Sequence, residues 1–575
     1  MELLKTLSKY WNELYPGQSD QTLQAFIKEI DKVRDQITDP PNQPEWYKDA
    51  IVYSLYVDLF NHDFNGLKEK LDYLQELGVN CIWLLPILDS PMKDAGFDIR
   101  NYDRIRTDLL GLPENAPLDK QQEVFREFLE EAHKRGLKVI FDIAINHTSE
   151  EHPWFVESRK GVDNPFRDYY IWSRDTSLYK EARIIFEGLC ESNWEKDGEW
   201  YYFHRFFEFQ PDLNYKNPEV LLAMTRNFLF WLIQGVDGFR ADAIPYLWKE
   251  ERTNCENLPK THTVVKFFRA VLDYVRPHTL LLAEACQKPH DVVKYFGDGD
   301  ECNAGYHFPL MPMIFKALAA GSSEPVSNIL SPAVTPAIPE SAQWFTFLRC
   351  HDELSLELVY VSEEDRKYIH DNYCHEPLWN FRLGQGVAAR LSELLQRDPE
   401  RIGLAYSIML TLPGTPIIYY GDEFGKLNDE NYYHEMIKLT GKDDTRFLVR
   451  GKLDWNALEN QLKNPDSFSA KVFNQVKKLV KTRSRYKCFG RGSIDWVDVK
   501  DRTGNKKMEI LAFVRQFEGE KVLVLNNLSD KEQWIRMADL GENGFKEILG
   551  QEIVTGKESG HLQLKGYGYL WMRLE

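Results

Sequence analysis

Residues 124–146 read VFREFLEEAHKRGLKVIFDIAIN, and this stretch decides the fold. Its first part spaces apolar residues by three and four, which predicts an amphipathic helix. Its second part is an almost continuous apolar run, which predicts a strand buried on both faces. The same order occurs upstream, where LKEKLDYLQELG (67–78) leads into VNCIWLLP (79–86). Repetition of this unit is typical of a parallel sheet covered by helices.

Six further apolar runs extend the pattern along the chain. They are AIVYSLYV (50–57), VDGFRAD (236–242), TLLLAEA (279–285), AGYHF (304–308), WFTFLRC (344–350) and TPIIYYGDE (415–423). Strand–helix alternation repeated about eight times predicts an α/β fold of the (β/α)8 kind, the TIM barrel.

The chain has 575 residues, too many for a barrel alone. Amphipathic patterns predict helices at the N-terminus, and aromatic-rich sequence after the third strand predicts an inserted subdomain on the top face of the barrel. Alternating apolar and polar residues near the end predict an antiparallel β-sandwich. The predicted domains are an N-terminal helical extension (1–44), the barrel (45–146 and 216–485), the inserted subdomain (147–215) and the C-terminal β-sandwich (486–575).

The composition limits the class of partner. A formal net charge of -18 argues against binding to nucleic acid or to an anionic membrane face. Aromatic residues make up 13% of the chain, which suits stacking against sugar rings. No apolar run has the length of a membrane span, no leader pattern is present, and the eight cysteines form no CxxC pair. We therefore expect a cytoplasmic protein with free thiols.

Several strand candidates end in charged residues: Asp142, Arg240 with Asp242, Glu284 and, just beyond the seventh run, Asp352. Barrel enzymes carry their catalytic residues at the C-terminal ends of the strands. A cluster of buried carboxylates is costly because like charges repel. Glycoside hydrolysis needs such a cluster, one carboxylate to attack the anomeric carbon and one carboxyl to protonate the leaving oxygen. A structural salt-bridge network is the alternative interpretation.

Four segments, in order, resemble the signature segments of the α-amylase family of glycoside hydrolases. These are FDIAINH (141–147), GFRADAI (238–244), LLAEA (281–285) and RCHDE (349–353), and QPDLN (210–214) resembles the family's fifth segment. The resemblance runs from about Trp46 to the C-terminus. Within the family, TNCENLP (253–259) and FGDGDEC (296–302) are most similar to the trehalose synthases, also called maltose α-D-glucosyltransferases.

The resemblance implies three catalytic carboxylates. Asp242 would attack the anomeric carbon, and Glu284 would act as general acid and base. Asp352 would hold the 2- and 3-hydroxyls of the bound glucose. Arg240 would keep Asp242 ionised, because a nearby cation lowers the pKa of a carboxyl group. Asp142 is interpreted as an orienting residue.

Further residues are implied to bind the sugar. His147 and His351 would donate hydrogen bonds to the same ring, and Phe97 stands where the family usually has a tyrosine. Asp98 resembles the aspartate that caps the 4-hydroxyl of a terminal glucose. Its predicted partner is Arg450, by likeness of VRGKLDW (449–455) to a family segment. Arg446 is the alternative to Arg450.

Members of the family hold a calcium ion between barrel and insertion. Asn146 and Asp212 match two of its ligands, and Tyr246 and Leu247 match positions that give backbone oxygens. Lys249 stands where a carboxylate would complete the shell. We expect its ammonium to replace the ion with a salt bridge to Asp212, and hence no required cofactor or metal.

Three functions stay open at this stage. The first is interconversion of maltose and trehalose by intramolecular transfer through a covalent glucosyl-enzyme, with hydrolysis as a side reaction. The second is hydrolysis, as in an α-glucosidase or small-oligosaccharide α-amylase, and the third is an inactive scaffold. The expected substrates are small neutral α-glucosides: maltose, trehalose and short maltooligosaccharides. Whether transfer or hydrolysis prevails depends on how well the site excludes water. The segment 426–449 is unlike the family, so the sequence does not predict how well water is excluded.

Overall fold

The computed structural model describes residues 2–37, 42–501, 503–540, 544–553 and 560–574. Eight parallel strands form a closed barrel in which the first strand pairs with both the second and the eighth. Each of the eight predicted apolar runs supplies one strand, so the (β/α)8 prediction is confirmed. The strands are β1 (Val52–Leu55), β2 (Cys81–Leu84), β3 (Lys138–Ala144), β4 (Gly238–Asp242), β5 (Leu280–Ala283), β6 (Ala304–Tyr306), β7 (Gln343–Phe347) and β8 (Thr415–Tyr419).

Helices cover the outside of the barrel and alternate with the strands. Several end at a glycine in the left-handed conformation, such as Gly78 (φ 100°) and Gly235 (φ 104°). Glycine takes this conformation without steric cost, so the chain turns sharply from the helix into the next strand. The principal outer helices are Leu71–Leu77, Leu118–Lys134, Pro218–Gln234, Pro259–Val275, Pro289–Val292, Leu310–Ala320, Pro399–Thr411 and Phe468–Arg483.

Of the long connections that leave the top face of the barrel, three lie after β3, β7 and β8. The one after β3 carries a three-stranded antiparallel sheet, Trp172–Ser173, Trp200–Phe203 and Trp194–Asp197. The one after β7 carries a second small sheet, Leu354–Ser355, Gly386–Val387 and Asn380–Phe381, with a helix at Glu363–Tyr373. The one after β8 carries the helix Glu430–Thr440. The sequence predicted the first of these as a subdomain, but not the second.

The C-terminal region forms two antiparallel sheets. Leu523, Ile535 and Leu562 come from both sheets and share one apolar cluster, which makes the pair a sandwich. The larger sheet contains Ser493–Trp496, Ile510–Phe517, Glu520–Asn527, Tyr569–Leu574 and Phe545–Glu547, and the smaller contains Gln533–Arg536 and His561–Leu564.

The N-terminal extension consists of helix α1 (Glu2–Leu14) and helix α2 (Asp20–Gln36). Helix α1 packs along the outer helix Pro259–Val275 and buries Trp11. The Tyr15 hydroxyl donates to the carbonyl of Tyr215 at 2.8 Å. Within the described part of the chain, no helix is long and apolar enough to cross a membrane.

Candidate active site

The charged residues predicted from the strand ends meet at the C-terminal mouth of the barrel. Asp142 lies in β3, and Asp242 is the last residue of β4. Glu284 directly follows β5, and Asp352 lies five residues beyond β7. Parallel strands bring their carboxyl ends to one face, so residues more than two hundred positions apart become neighbours.

Arg240 connects three of these carboxylates. Its Nη1 donates to Asp142 and to Asp242, each at 2.6 Å, and its Nη2 lies 2.7 Å from Glu284 Oε1. The remaining oxygen of Asp142 accepts from the Trp83 indole at 2.8 Å. Asp142 therefore fixes the guanidinium, and the guanidinium fixes the two carboxyl groups that face the cavity.

Burial separates the protonation states of the carboxyl groups. It raises the pKa of Glu284 to about 8 and that of Asp242 to about 6, while Arg240 opposes both shifts. Burial acts in the same direction on Asp352, but His351, Arg446 and neighbouring cations outweigh it and lower the pKa of this carboxyl. At neutral pH these shifts favour a protonated Glu284 beside an ionised Asp242.

Arg240, Asp242, Glu284 and Asp352 line one cavity at the mouth of the barrel. Both ring nitrogens of His147 are buried without a partner among the described residues, so they are available to a ligand. The ring of His351 stacks on Phe97, with centroids 5.4 Å apart. Apolar and charged side chains from the three top-face connections complete the wall: Ile185, Phe186, Phe206, Glu353, Glu357, Phe381, Arg382 and Arg446.

The barrel region matches one known sequence family. Residues 44–492 match the sequence model of the family described as alpha amylase, catalytic domain. The chain belongs to the α-amylase family. Residues 504–571 match the maltogenic amylase C-terminal domain, in agreement with the antiparallel sheets found there.

Relatives within the α-amylase family include trehalose synthases. The trehalose synthase/amylase of Mycobacterium tuberculosis is 40% identical over 93% of this chain and 91% of its own length. The trehalose synthase of Thermus thermophilus is 41% identical over 89% of this chain and 53% of its own length.

Solved structures support the same fold. The α-amylase from H. orenii superimposes with a TM-score of 0.69 at 25% identity, over 92% of this chain and all of that one. The isomaltulose synthase from Klebsiella sp. LX3 gives 0.68 at 23% identity, over 93% of this chain and all of that one. The second likeness concerns the fold alone.

Asp98 does not lie on the cavity wall, contrary to the role expected for it. Its oxygens accept from the Ser90 hydroxyl at 3.0 Å and from the backbone amides of Lys93 and Asp94 at 3.0 and 3.1 Å. Asp98 is fully buried and serves to hold its own loop. The acidic residue of this loop that reaches the cavity is Asp94, four positions earlier, and Phe97 lines the cavity as well.

Arg450 is likewise set back from the cavity, and Arg446 takes its place. Arg450 donates to the carbonyl of His351 at 3.0 Å and to Asp352 at 3.3 Å, from a fully buried position. Arg446 lines the cavity and lies 3.1 Å from Asp352 and 3.5 Å from Asp94. Asp94 and Arg446, the arginine that the sequence offered as the alternative, therefore face each other on the cavity wall.

The expected calcium position contains an ammonium group. Lys249 Nζ lies 2.7 Å from Asn146 Oδ1 and 2.8 Å from Asp212 Oδ2, and all three residues are buried. Tyr246 and Leu247 lie on the turn that leads from β4 to this lysine. Calcium prefers six to eight oxygen ligands. The donor set does not fit calcium, because a cation already bridges the two side-chain oxygens.

Contacts join the top-face connections to one another near the cavity. Arg382, after β7, donates to the carbonyl of Ile185 in the insertion at 3.0 Å and pairs with Glu357 at 2.9 Å. Lys442, after β8, pairs with Glu208 of the insertion at 2.9 Å. Sequence reasoning missed these contacts, because each joins residues far apart in the chain.

Proposed function

We propose that this enzyme interconverts maltose and trehalose by intramolecular transfer of a glucosyl unit, with hydrolysis as a side reaction. The high similarity to trehalose synthases supports this substrate pair. The observations that carry the proposal are two contacts at the top face, where Arg382 and Lys442 connect the insertion to the connections after β7 and β8. A closed cavity retains the glucose that is released and excludes competing water.

The first step forms a covalent glucosyl-enzyme. Asp242 attacks the anomeric carbon while the bond to the bridging oxygen breaks, and Glu284 gives its proton to that oxygen. Arg240 binds both carboxyl groups through its two terminal nitrogens, so the groups lie side by side. This arrangement favours retention, which needs carboxyl groups about 5–5.5 Å apart, over inversion, which needs a water between them.

The remaining polar groups bind the glucose unit that becomes attached to Asp242. Asp352, His147 and His351 face the cavity beside the nucleophile and are the proposed partners of the ring hydroxyls. Asp94 and Arg446 close the end of this pocket and favour a terminal glucose. Such contacts position the anomeric carbon in front of Asp242.

The second step returns the glucosyl unit to the same glucose. The released glucose turns within the cavity and presents its anomeric hydroxyl. Glu284, ionised after the first step, takes the hydroxyl proton as the new bond forms and the bond to Asp242 breaks. Attack by water at this stage gives hydrolysis.

The test is incubation with maltose in the presence of excess ¹³C-labelled glucose, followed by separation of the sugars. We expect unlabelled trehalose and a small amount of glucose. Replacement Asp242→Asn removes both products because both need the covalent intermediate. The exposed Asp119→Asn serves as the matched control.

Two outcomes contradict the proposal. Glucose without trehalose at any time identifies a hydrolase instead. Labelled trehalose shows that the acceptor comes from solution, and the transfer is then intermolecular.

A further inference from the structure

Three consecutive residues beyond β7 place different metal-binding groups on the cavity wall. Cys350, His351 and Asp352 all line the cavity. One ligand atom of each, a thiol sulfur, an imidazole nitrogen and a carboxylate oxygen, lies within 4.8 Å of the other two. The residues follow the end of the strand, so their side chains do not alternate between faces.

We propose that Cys350, His351 and Asp352 form an inhibitory site for a divalent cation of the zinc and cadmium class. The inhibition rests on the proposed function, because the ion occupies groups that would otherwise hold the sugar. The metal site itself rests only on the three side chains.

The spacing of the nitrogen and oxygen suits such an ion. His351 Nε2 lies 3.1 Å from Asp352 Oδ2. Zinc binds nitrogen and oxygen at about 2.0–2.2 Å in tetrahedral geometry, so two such ligands are about 3.3 Å apart. The ion replaces one hydrogen bond with little movement of either residue, and the sulfur approaches by about 1 Å to reach its usual bond length of about 2.3 Å.

The proposed ligand atoms are not all bound to other side chains. Arg446 and Arg450 bind Oδ1 of Asp352, which leaves Oδ2 for the ion. Nε2 of His351 contacts Oδ2 of Asp352, and the ion takes the place of this contact. Cys350 is a free thiol and is 7% exposed.

The charge of the site balances a divalent ion. Binding releases the thiol proton of Cys350 to solvent, and the sulfur donates its electron pair to the metal. The resulting thiolate and the carboxylate of Asp352 together match the charge of the ion. Arg240, Arg446 and Arg450 act on Asp352 and repel the ion. The cavity wall also carries further acidic residues that oppose this repulsion, namely Asp94, Asp242, Glu353 and Glu357. Sulfur and imidazole ligands select zinc and cadmium over calcium and magnesium.

Cadmium is the probe, because a cadmium–thiolate bond absorbs in the near ultraviolet. Titration of the full-length enzyme with cadmium should give this absorption, and saturating maltose should weaken the binding at least about tenfold. Zinc should raise the KM for maltose and leave kcat unchanged. Replacement Cys350→Ser should weaken cadmium binding at least about tenfold, since even outer-shell partners contribute 10–100-fold.

Cys286→Ser is the matched control, because Cys286 is the other thiol of the cavity wall. It should retain the absorption and the affinity. The proposal is overturned if Cys286→Ser loses the absorption, if Cys350→Ser retains it, or if maltose that is being turned over leaves cadmium binding unchanged. Absence of turnover together with a Cys350-dependent absorption counts against the proposed function and supports the metal site.

Discussion

Two carboxyl groups on one guanidinium differ in pKa, and this difference predicts the pH dependence of the reaction. Burial raises the pKa of Asp242 to about 6 and that of Glu284 to about 8. Below about pH 6 the nucleophile gains a proton, and above about pH 8 the general acid loses one. We expect a bell-shaped profile of kcat/KM for maltose with limbs near these values.

A second substrate tests which residue causes each limb of this pH profile. Fluoride leaves without protonation, so α-glucosyl fluoride needs the nucleophile but not the acid in the first step. Its kcat/KM should keep the limb near pH 6 and lose the limb near pH 8. Identical profiles for both substrates would show that Glu284 is not the acid.

The sequence predicts the position of a site residue well when a strand fixes the direction of its side chain. Asp242 and Arg240 are two apart on β4, so the sequence alone places both on one face. Asp98 lies in a loop, where no periodicity fixes the side chain, and it turns inward while Asp94 reaches the cavity. Arg446 was distinguishable from Arg450 only once the fold had placed both near Asp352.

Lys249 joins three elements, and its removal should separate them. The ammonium bridges Asn146, after β3, and Asp212, in the insertion. Replacement Lys249→Ala leaves the buried Asp212 carboxylate unpaired, which should cost about 3–5 kcal/mol in the free energy of unfolding. Chemical denaturation measures this loss. Lys294→Ala, which breaks an exposed pair, is the control and should change little.

The bridge that Lys249 forms between Asn146 and Asp212 also predicts that chelators do not affect the enzyme. We expect the activity and melting temperature of the enzyme to be unchanged after exhaustive treatment with a chelator. Inactivation that calcium alone restores would show that an ion displaces Lys249.

Arg382 holds the connection after β7 against the insertion. Replacement Arg382→Ala removes the charged hydrogen bond to Ile185 and the pair with Glu357. A charged hydrogen bond contributes about 1.5–3 kcal/mol, so the open form should rise at least about tenfold. We expect a larger share of glucose among the products from maltose, measured by chromatography.

The control for this change is Arg397→Ala, in which the exposed Arg397 loses its pair with Glu393. It should leave the ratio of trehalose to glucose unchanged. An unchanged ratio in Arg382→Ala would mean that closure does not depend on this contact.

Elements formed by continuous apolar runs were predictable, and elements assembled from scattered polar residues were not. The run 137–146 has no competing interpretation as a surface helix, and it forms β3. The small sheet after β7 consists of two-residue strands, Leu354–Ser355, Asn380–Phe381 and Gly386–Val387. Such short strands carry no period, because pairing with distant neighbours defines them.

The N-terminal helices are part of the barrel's packing, which a single substitution tests. Trp11 is 1% exposed between α1 and the barrel. Replacement Trp11→Ala should destabilise the folded chain by about 3–5 kcal/mol, measured as a lower melting temperature. Lys5→Ala, on the exposed side of α1, is the control. Equal melting temperatures for both variants would show that α1 contributes nothing to stability.

The position of α1 also sets an order of events during synthesis. The outer helix on which it packs, Pro259–Val275, is made more than two hundred residues later. At about 5–20 residues per second, the apolar side of α1, with Leu7, Trp11 and Leu14, remains uncovered on the ribosome for about ten seconds or more. A nascent chain of this kind presents a ready binding surface to chaperones, and slower translation between α1 and residue 275 lengthens that exposure. We therefore expect synonymous codon changes in this interval to alter the yield of folded enzyme without altering one residue of it.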